Sequence, residues 1–179
     1  MRSVVGVEVR RVDAAGWKEL REVRLRALAD ALDAFASTLE REAAFPDDVW
    51  RQRAQGGPAS ANFIVREDGV GVGMAAVIPE PDPGRMQLVG MWVDPQHRHR
   101  GIGQALIGEA VRWSREHQAR ELIAWVAERN TAARMLYARV GFRPTDGRQP
   151  LPSNPAVDEV LLRLPLDPQG RTSTAVLGS

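Results

Sequence analysis

Near its middle the chain carries the segment Val93-Asp94-Pro95-Gln96-His97-Arg98-His99-Arg100-Gly101-Ile102-Gly103-Gln104. The apolar run from Leu88 to Val93 predicts a strand. After the segment, apolar residues recur at helical spacing, from Ile102 through Leu106 to Trp113. A basic loop that contains glycine is therefore expected to join the end of a strand to the start of a helix.

Such a junction suits a phosphate or pyrophosphate group. The first turn of a helix leaves backbone N–H groups without partners, and glycine allows a ligand to approach the backbone closely. Arg98 and Arg100 add positive charge. The loop lacks the Lys-Ser or Lys-Thr pair of a Walker loop, and Leu106 stands where a dinucleotide fingerprint has its third glycine. The alternative is an ordinary strand-to-helix turn with solvated arginines.

Composition predicts one soluble domain over residues 1–166 and a flexible tail over residues 167–179. The 179 residues are 44% hydrophobic and 26% charged, include no cysteine, and carry a formal net charge of +1. The charge disfavours binding to bulk nucleic acid. No long apolar run or signal-peptide pattern is present, so we expect a cytoplasmic protein without a membrane span.

The order of predicted elements indicates an α/β (α+β) fold with a mixed sheet and helices on both faces. The basic loop would lie in a strand–helix–strand crossover, which creates the parallel part of the sheet. We predict strands near residues 5–12, 62–66, 70–79, 86–93, 121–126 and 159–164, and a short strand that opens at Phe142. Helices are expected near residues 14–32, 46–56, 103–117 and 130–140, and a loop over residues 145–157.

Two motifs resemble those of the GNAT superfamily, the acyl-CoA-dependent N-acetyltransferases. Arg98-His99-Arg100-Gly101-Ile102-Gly103 is similar to its Gln/Arg-x-x-Gly-x-Gly/Ala signature. Asn130 to Phe142 matches a second pattern, Asn-x-x-Ala-x-x-x-Tyr-x-x-x-Gly-Phe, one helix and one strand downstream. The resemblance implies a mostly antiparallel sheet of six to seven strands whose fourth and fifth strands run parallel and splay apart.

The resemblance also implies acetyl-CoA as the cosubstrate, without a metal. Its pyrophosphate would bind the N–H groups of Arg98, His99, Arg100, Gly101, Ile102, Gly103 and Gln104. Its pantetheine arm would pair with the backbone of Met91, Trp92 and Val93, where an N–H would polarise the thioester carbonyl. Asn130 would contact the pantetheine arm, although a plain helix N-cap is the alternative and both roles can coexist.

Tyr137, the only tyrosine in the chain, is by resemblance the acid that protonates the departing thiolate. Its alternative role is that of a half-buried helix tyrosine. Some relatives place a Glu on the fourth strand as the general base, but here that strand has no acid between Met86 and Val93, and Asp94 comes only at its end. Glu128 is the candidate base, with Glu40 and Glu42 as others. Surface charges, a water relay or an already neutral amine are the alternatives.

These predictions describe an enzyme that transfers the acetyl group of acetyl-CoA to a primary amine of a small molecule or peptide, by direct attack in a ternary complex. The alternative is a non-catalytic acyl-CoA-binding or sensor module, favoured by the missing acid on the fourth strand. His97 and His99 have only Asp94 near them, so we expect phosphate contact or exposure and no metal site. Nucleic acid and membrane are not expected partners, and a homodimer is one option.

Overall fold

The computed structural model describes residues 8–166, which form seven strands and five α-helices. The strands are β1 (Glu8–Arg11), β2 (Ala61–Glu67), β3 (Val70–Pro79), β4 (Arg85–Val93), β5 (Glu121–Ala127), β6 (Arg143–Leu151) and β7 (Asn154–Pro165). The helices are α1 (Trp17–Asp30), α2 (Leu39–Ala43), α3 (Asp47–Gln55), α4 (Ile102–Glu116) and α5 (Thr131–Arg139). Short 3-10 helices cover Ala14–Gly16 and Pro95–His97.

The seven strands form one mixed sheet in the order β1-β2-β3-β4-β5-β7-β6. Every neighbouring pair is antiparallel except β4 and β5, which run parallel and are connected through α4. A parallel pair needs such a crossover, because a short hairpin cannot return the chain to the same end of the sheet. The mixed, mostly antiparallel fold class predicted from the sequence is confirmed.

The pair β4 and β5 separates soon after it begins. Only three registered pairs join them, from Arg85 opposite Glu121 to Gln87 opposite Ile123. Beyond Gln87 the edge of β4 that faces β5 carries no registered pair, although its other edge stays paired to β3 as far as Val93. The predicted splay is therefore present, and it opens a gap in the middle of the sheet.

Helices cover both faces of the sheet. On one face α4 packs against β2, β3 and β4 around Leu106 and Ile107, and Tyr137 of α5 belongs to the same apolar cluster. On the other face α1 and α3 pack around Trp50 and Trp92. Burial of these large apolar side chains supplies the main driving force for holding the layers together.

Glycines in β3 allow both layers to approach closely. A Cβ on Gly71 would lie 2.4 Å from Val23 of α1, and a Cβ on Gly73 would lie 2.9 Å from Ile102 of α4. These residues continue a strand that follows a tight turn in which Asp68 and Gly69 both have positive φ. The glycine series thus belongs to a hairpin, as the Asp-Gly pair predicts.

Two local expectations were wrong. Residues 145–157 were expected to be a loop, but β6 covers most of them and β7 begins at Asn154. The prolines in β6 are tolerated because this strand lies at the sheet edge, where a missing N–H donor leaves no neighbour unpaired. The five-residue helix α2 was missed. Its signal is Thr38, whose hydroxyl accepts a hydrogen bond from the N–H of Arg41.

Some predictions concern residues outside the described part of the chain. The first strand was expected from Val5, and the structure describes it from Glu8 onward. The proposed tail, residues 167–179, lies wholly outside, and the single-domain boundary at residue 166 stays a prediction. Within residues 8–166 no helix is long and apolar enough to cross a membrane. The cytoplasmic location also stays a prediction.

Candidate functional site

A cavity of about 1100 Å³ opens where β4 and β5 separate. Its wall includes β4 from Gln87 to Val93, the N-terminus of α4, the C-terminal half of β5 and one side of α5. Residues between α1 and α3 close the other end, together with two polar side chains from β6 and β7. The cavity therefore reaches both faces of the sheet through the gap between the two strands.

The basic loop enters this cavity in a conformation that depends on two left-handed residues. His99 has φ of 62° and Gly101, the N-cap of α4, has φ of 82°. Before them Asp94 directly follows β4 and caps the short 3-10 helix, accepting a hydrogen bond from the N–H of Gln96 at 3.0 Å. Glycine accommodates a positive φ without steric cost, so Gly101 directs the loop into the helix at this point.

The backbone N–H groups from Arg98 to Gln104 lack partners. Across the part of the chain that the structure describes, none of them donates a hydrogen bond to a backbone or side-chain acceptor, and the first helical bond is from Ala105 to the carbonyl of Gly101. The dipole of the 15-residue helix α4 also makes this end positive. The sequence prediction of an anion-binding turn is consistent with this geometry.

The loop's charged side chains are held by acidic neighbours. Arg98 donates to Asp30 at 2.6 Å and to the carbonyl of Val93 at 3.0 Å. Arg100 pairs with Glu67 at 2.9 Å, and His97 lies between Glu67 and Asp94. An arriving phosphate would compete with these carboxylates for the guanidinium groups, all of which are partly exposed.

Asp94, the only acid at the end of β4, is held as a carboxylate. Burial alone would raise its pKa, but hydrogen bonds from His97, from the N–H of Gln96 and from Arg26 outweigh this and lower the pKa. Arg26 also donates to the carbonyl of Gly71, so it ties α1 to β3 beside the loop. A carboxylate stabilised in this way is a weak proton acceptor.

Met91, Trp92 and Val93 all line the cavity. They belong to the part of β4 that has no registered pair with β5, so this edge of the backbone is available to a ligand. The indole of Trp92 packs in the cluster below α1 and donates its N–H to Asp30 at 2.9 Å. Asp30 therefore links Trp92 to Arg98.

Asn130 and Gly103, one from each motif, have structural roles as well. Asn130 caps α5, accepting a hydrogen bond from the N–H of Ala133 at 3.1 Å, and it also lines the cavity. A Cβ on Gly103 would lie 2.8 Å from Leu136 of α5. Gly103 thus allows α4 and α5 to pack closely at the cavity wall.

Tyr137 lies in α5 and lines the cavity while being only 4% exposed. Its ring packs edge-on against Phe142 at 5.1 Å between ring centroids. Burial raises the pKa of the phenol, so the side chain stays protonated at any physiological pH. A buried, protonated phenol in this position has a proton to donate.

The acids proposed as the base lie in three different environments. Glu128 pairs with Arg148 at 2.9 Å on the surface, with half of its side chain exposed, and it is not among the cavity-lining residues. Glu40 is exposed on α2. Glu42 is buried and lines the cavity; burial would raise its pKa, but Arg24 and Arg53 outweigh this and lower it.

Sequence reasoning missed one buried acid, Glu159 on β7. It lines the cavity, is 6% exposed, and accepts a hydrogen bond from the side-chain amide of Gln149 on β6 at 2.9 Å. Burial raises its pKa more than this hydrogen bond lowers it. The available signal was a charged residue at the start of the predicted last strand, directly before its apolar run, but its partner Gln149 fell in the predicted loop over residues 145–157.

A metal site is not indicated by the side chains that the structure describes. No group of three or more His, Asp or Glu residues in positions 8–166 is arranged to hold a metal ion. The imidazole of His97 instead contacts two carboxylates, Glu67 at 2.9 Å and Asp94 at 3.2 Å.

Several known proteins are similar to this chain. Human N-acetyltransferase 8 is 33% identical over 78 residues, which cover 41% of this chain and 34% of that protein. A GCN5-related N-acetyltransferase from Kribbella flavida has 25% identity and a TM-score of 0.69, covering 92% of this chain and all of that one. The structure of yncA from Salmonella typhimurium, solved with its cofactor acetyl-CoA, has 19% identity and a TM-score of 0.71, covering 90% and 95%.

The match to the human protein spans about a third of that protein's length, so it reports on a shared segment. The model of the acetyltransferase (GNAT) family matches residues 25–142, which contain β2 to β5, the basic loop and α5. Those residues also carry the splayed strands, the unpartnered N–H groups and Tyr137. The chain therefore belongs to the acetyltransferase (GNAT) family.

Proposed function

We propose that the protein transfers the acetyl group of acetyl-CoA to a primary amine of a small molecule or peptide, by direct attack within a ternary complex. The observation that carries this proposal is the row of unpartnered N–H groups from Arg98 to Gln104, whose residues, apart from Arg100, line the same cavity as Tyr137. The part of the cavity beside the loop suits a pyrophosphate, and the part beside Tyr137 suits acyl transfer.

In this proposal different parts of the cavity wall bind different parts of acetyl-CoA. The N–H groups of Arg98, His99, Arg100, Gly101, Ile102, Gly103 and Gln104 would receive the pyrophosphate, with the two arginines adding charge. The unpaired backbone edge of Met91, Trp92 and Val93 would hold the pantetheine amides, and Asn130 would contact the same arm from α5. The arm would then pass into the gap between β4 and β5.

The chemistry is the exchange of a C–S bond for a C–N bond. The lone pair of the neutral amine attacks the thioester carbonyl carbon, and a backbone N–H of β4 stabilises the negative charge that develops on oxygen. When the C–S bond breaks, the electron pair leaves on sulfur and Tyr137 supplies the proton that converts it to a thiol. The proton lost by the new amide nitrogen restores the phenol.

The first test is the melting temperature with and without acetyl-CoA. Ligand at about 100 times its dissociation constant adds about 2.7 kcal/mol to the free energy of unfolding, which is several degrees for a domain of this size. Release of CoA with a panel of amines then separates an enzyme from a non-catalytic sensor, which would bind acetyl-CoA without turnover. The chain has no cysteine, so a thiol reagent detects CoA without background from the protein.

A pair of glycine variants makes this test specific to the loop. Gly101 and Gly69 have nearly equal positive φ, 82° and 80°, so Gly101→Val and Gly69→Val introduce similar backbone strain. Only Gly101→Val should abolish the stabilisation by acetyl-CoA. A normal acetyl-CoA response in Gly101→Val would remove the phosphate assignment from this loop.

A further inference from the structure

Glu159 is a buried acid that the mechanism above does not use. Its position on β7 is registered opposite Ala127 at the end of β5 and opposite Gln149 on the edge strand β6. Although the residue is only 6% exposed, it lines the cavity that opens between β4 and β5. The carboxyl group is thus withdrawn from bulk solvent and close to the space in which an acceptor would bind.

Its surroundings differ from those of the other buried carboxylates. Glu42 is paired with two arginines, and Glu121 likewise contacts Arg85 and Arg163. Within residues 8–166, the side chain of Glu159 forms no ion pair, and the Gln149 amide is the one hydrogen-bond partner of its carboxylate. A buried carboxylate without a cation carries an uncompensated desolvation cost, and a ligand with a positive charge would remove that cost.

The side of the sheet on which Glu159 lies is also informative. Residues that are registered opposite each other in neighbouring strands point to the same face of the sheet, so Glu159 lies on the same face as Ala127. Trp125 is two residues before Ala127 in β5 and therefore lies on that face as well. Val126 and Val160 point to the opposite face, where they join the cluster that contains Tyr137. Glu159 and Tyr137 therefore belong to opposite faces of the sheet, with the gap between β4 and β5 available to both.

We propose that Glu159 is the general base of the transfer, receiving the acceptor as an ammonium ion and taking one of its protons. This inference rests on the proposed acetyltransferase function. The carboxylate becomes a carboxylic acid and the ammonium becomes a neutral amine, whose lone pair then forms the C–N bond as the C–S bond breaks. The proton on Glu159 passes to solvent, which accounts for the single proton that the overall reaction releases from an ammonium substrate.

The arrangement separates the two proton transfers. In this proposal the amine arrives on the face of the sheet that carries Glu159, and the sulfur leaves toward the face that carries Tyr137. A raised pKa suits the role, because a base works best when its pKa lies closer to the working pH. Gln149 is a positioning residue, since its amide holds the carboxylate and does not itself ionise.

The decisive experiment compares Glu159→Gln, Glu159→Asp and wild type in the CoA-release assay. The glutamine variant keeps an acceptor for Gln149 but cannot take a proton, so we expect kcat to fall about 10²-fold. The aspartate variant should recover part of the loss. Asp158→Asn removes a neighbouring exposed carboxylate from the same strand and should retain wild-type kcat.

A series of acceptor amines of decreasing amine pKa distinguishes a base from a structural residue. Amines that are already neutral at the assay pH need no base, so the deficit of Glu159→Gln should shrink along the series. The melting temperature of this variant should equal or exceed that of wild type, because a buried unpaired charge has been removed.

Each other outcome overturns the inference. A kcat for Glu159→Gln within threefold of wild type, or the same deficit for every amine, would exclude Glu159 as the base. A loss confined to Glu128→Gln would assign the role to Glu128 instead. An inactive wild-type protein with every amine tested would overturn the proposed function, and this inference with it.

Discussion

Glu42 and Glu159 are both buried glutamates in the wall of one cavity, yet their partners differ completely. Glu42 lies on α2 between Arg24 of α1, at 2.8 Å, and Arg53 of α3, at 2.9 Å. Glu159 has a neutral amide as its partner on β6. The pKa of the first is lowered despite burial, and the pKa of the second is raised by burial.

The difference shows how a structural acid can be separated from a catalytic one within the same cavity. Glu42 is 1% exposed and joins three helices through charge-assisted hydrogen bonds, so its charge serves the packing of α1, α2 and α3. Glu159 joins only two adjacent strands that are already paired by their backbones. Burial is common to both residues, and the nature of the partner decides the role.

The largest effect on stability should come from removing the charge of Glu42, which pairs with Arg24 and Arg53. Glu42→Gln leaves two guanidinium groups facing each other without a carboxylate, and removal of one partner from a buried ion pair costs about 3–5 kcal/mol in the free energy of unfolding. Urea unfolding measures this loss. Glu40→Gln, an exposed change on the same short helix, is the control, with an expected change within about 0.5 kcal/mol. A loss below about 1 kcal/mol for Glu42→Gln would remove the structural role.

The next effect concerns the third buried titratable group of the cavity, Tyr137. Tyr137→Phe keeps the ring that packs against Phe142 but removes the proton, so turnover should fall about 10²-fold or more. Acetyl-CoA affinity and melting temperature should stay near wild type. Unchanged turnover in the steady-state assay would take Tyr137 out of the chemistry.

A smaller effect should appear in the pH dependence of stability. The pKa of Glu159 is raised in the folded protein, so its contribution is fully present below its unfolded value near 4.5 and is lost as the pH rises through the folded value. Glu159→Gln should therefore be more stable than wild type at pH 7, and the difference should vanish on acidification.

Glu42 should show the opposite sign. Its folded pKa is lowered, so its contribution is present above the unfolded value of 4.5 and is lost as the pH falls through the folded value. The destabilisation by Glu42→Gln should accordingly be largest at neutral pH. Melting curves of both variants from pH 7 down to well below the unfolded value of 4.5 provide the measurement, and parallel curves would contradict the assigned charge states.

The smallest effect is expected at the surface pair of Glu128 and Arg148. Both side chains are about half exposed, and such pairs contribute at most about 1 kcal/mol. Glu128→Gln should change the free energy of unfolding by about 0.5 kcal/mol, an amount that salt reduces further. A loss comparable to that of Glu42→Gln would mean that exposure is a poor guide to ion-pair strength in this protein.

Local sequence patterns were sufficient to predict the central strands of the sheet and the basic loop before α4. The short apolar run in β2 and the helical spacing in α4 predict these elements correctly, because tertiary burial covers the same apolar residues that the sequence displays. A short strand was predicted to open at Phe142, but the segment over residues 145–157 was not recognised as part of a strand, because its prolines and glycine are typical of loops. Its pairing with β7 comes from a neighbour that no local pattern reveals.

The candidate site likewise contains residues that local motifs indicated and one that only the tertiary structure revealed. Gly101, Asn130 and Tyr137 were singled out from motifs, whose residues are close together along the chain. Glu159 was not, because its burial and its place in the cavity depend on β7 being inserted between β5 and β6. Glu128 was selected for its proximity to Asn130 in sequence, and the structure turns its side chain toward Arg148 at the surface.

The sequence by itself determined the strand–loop–helix unit around Gly101 and the mixed sheet, because both depend on short-range patterns and on the order of the elements. Its two motifs also carried the resemblance to the acetyltransferase (GNAT) family. Only the tertiary structure decided which acids are buried, which of them meet an arginine and which face of the sheet each one occupies. Those properties arise from contacts between residues that are far apart along the chain, such as Arg24 with Glu42 and Ala127 with Glu159. Solvation and electrostatic interactions depend on distances in space, which local sequence patterns do not specify.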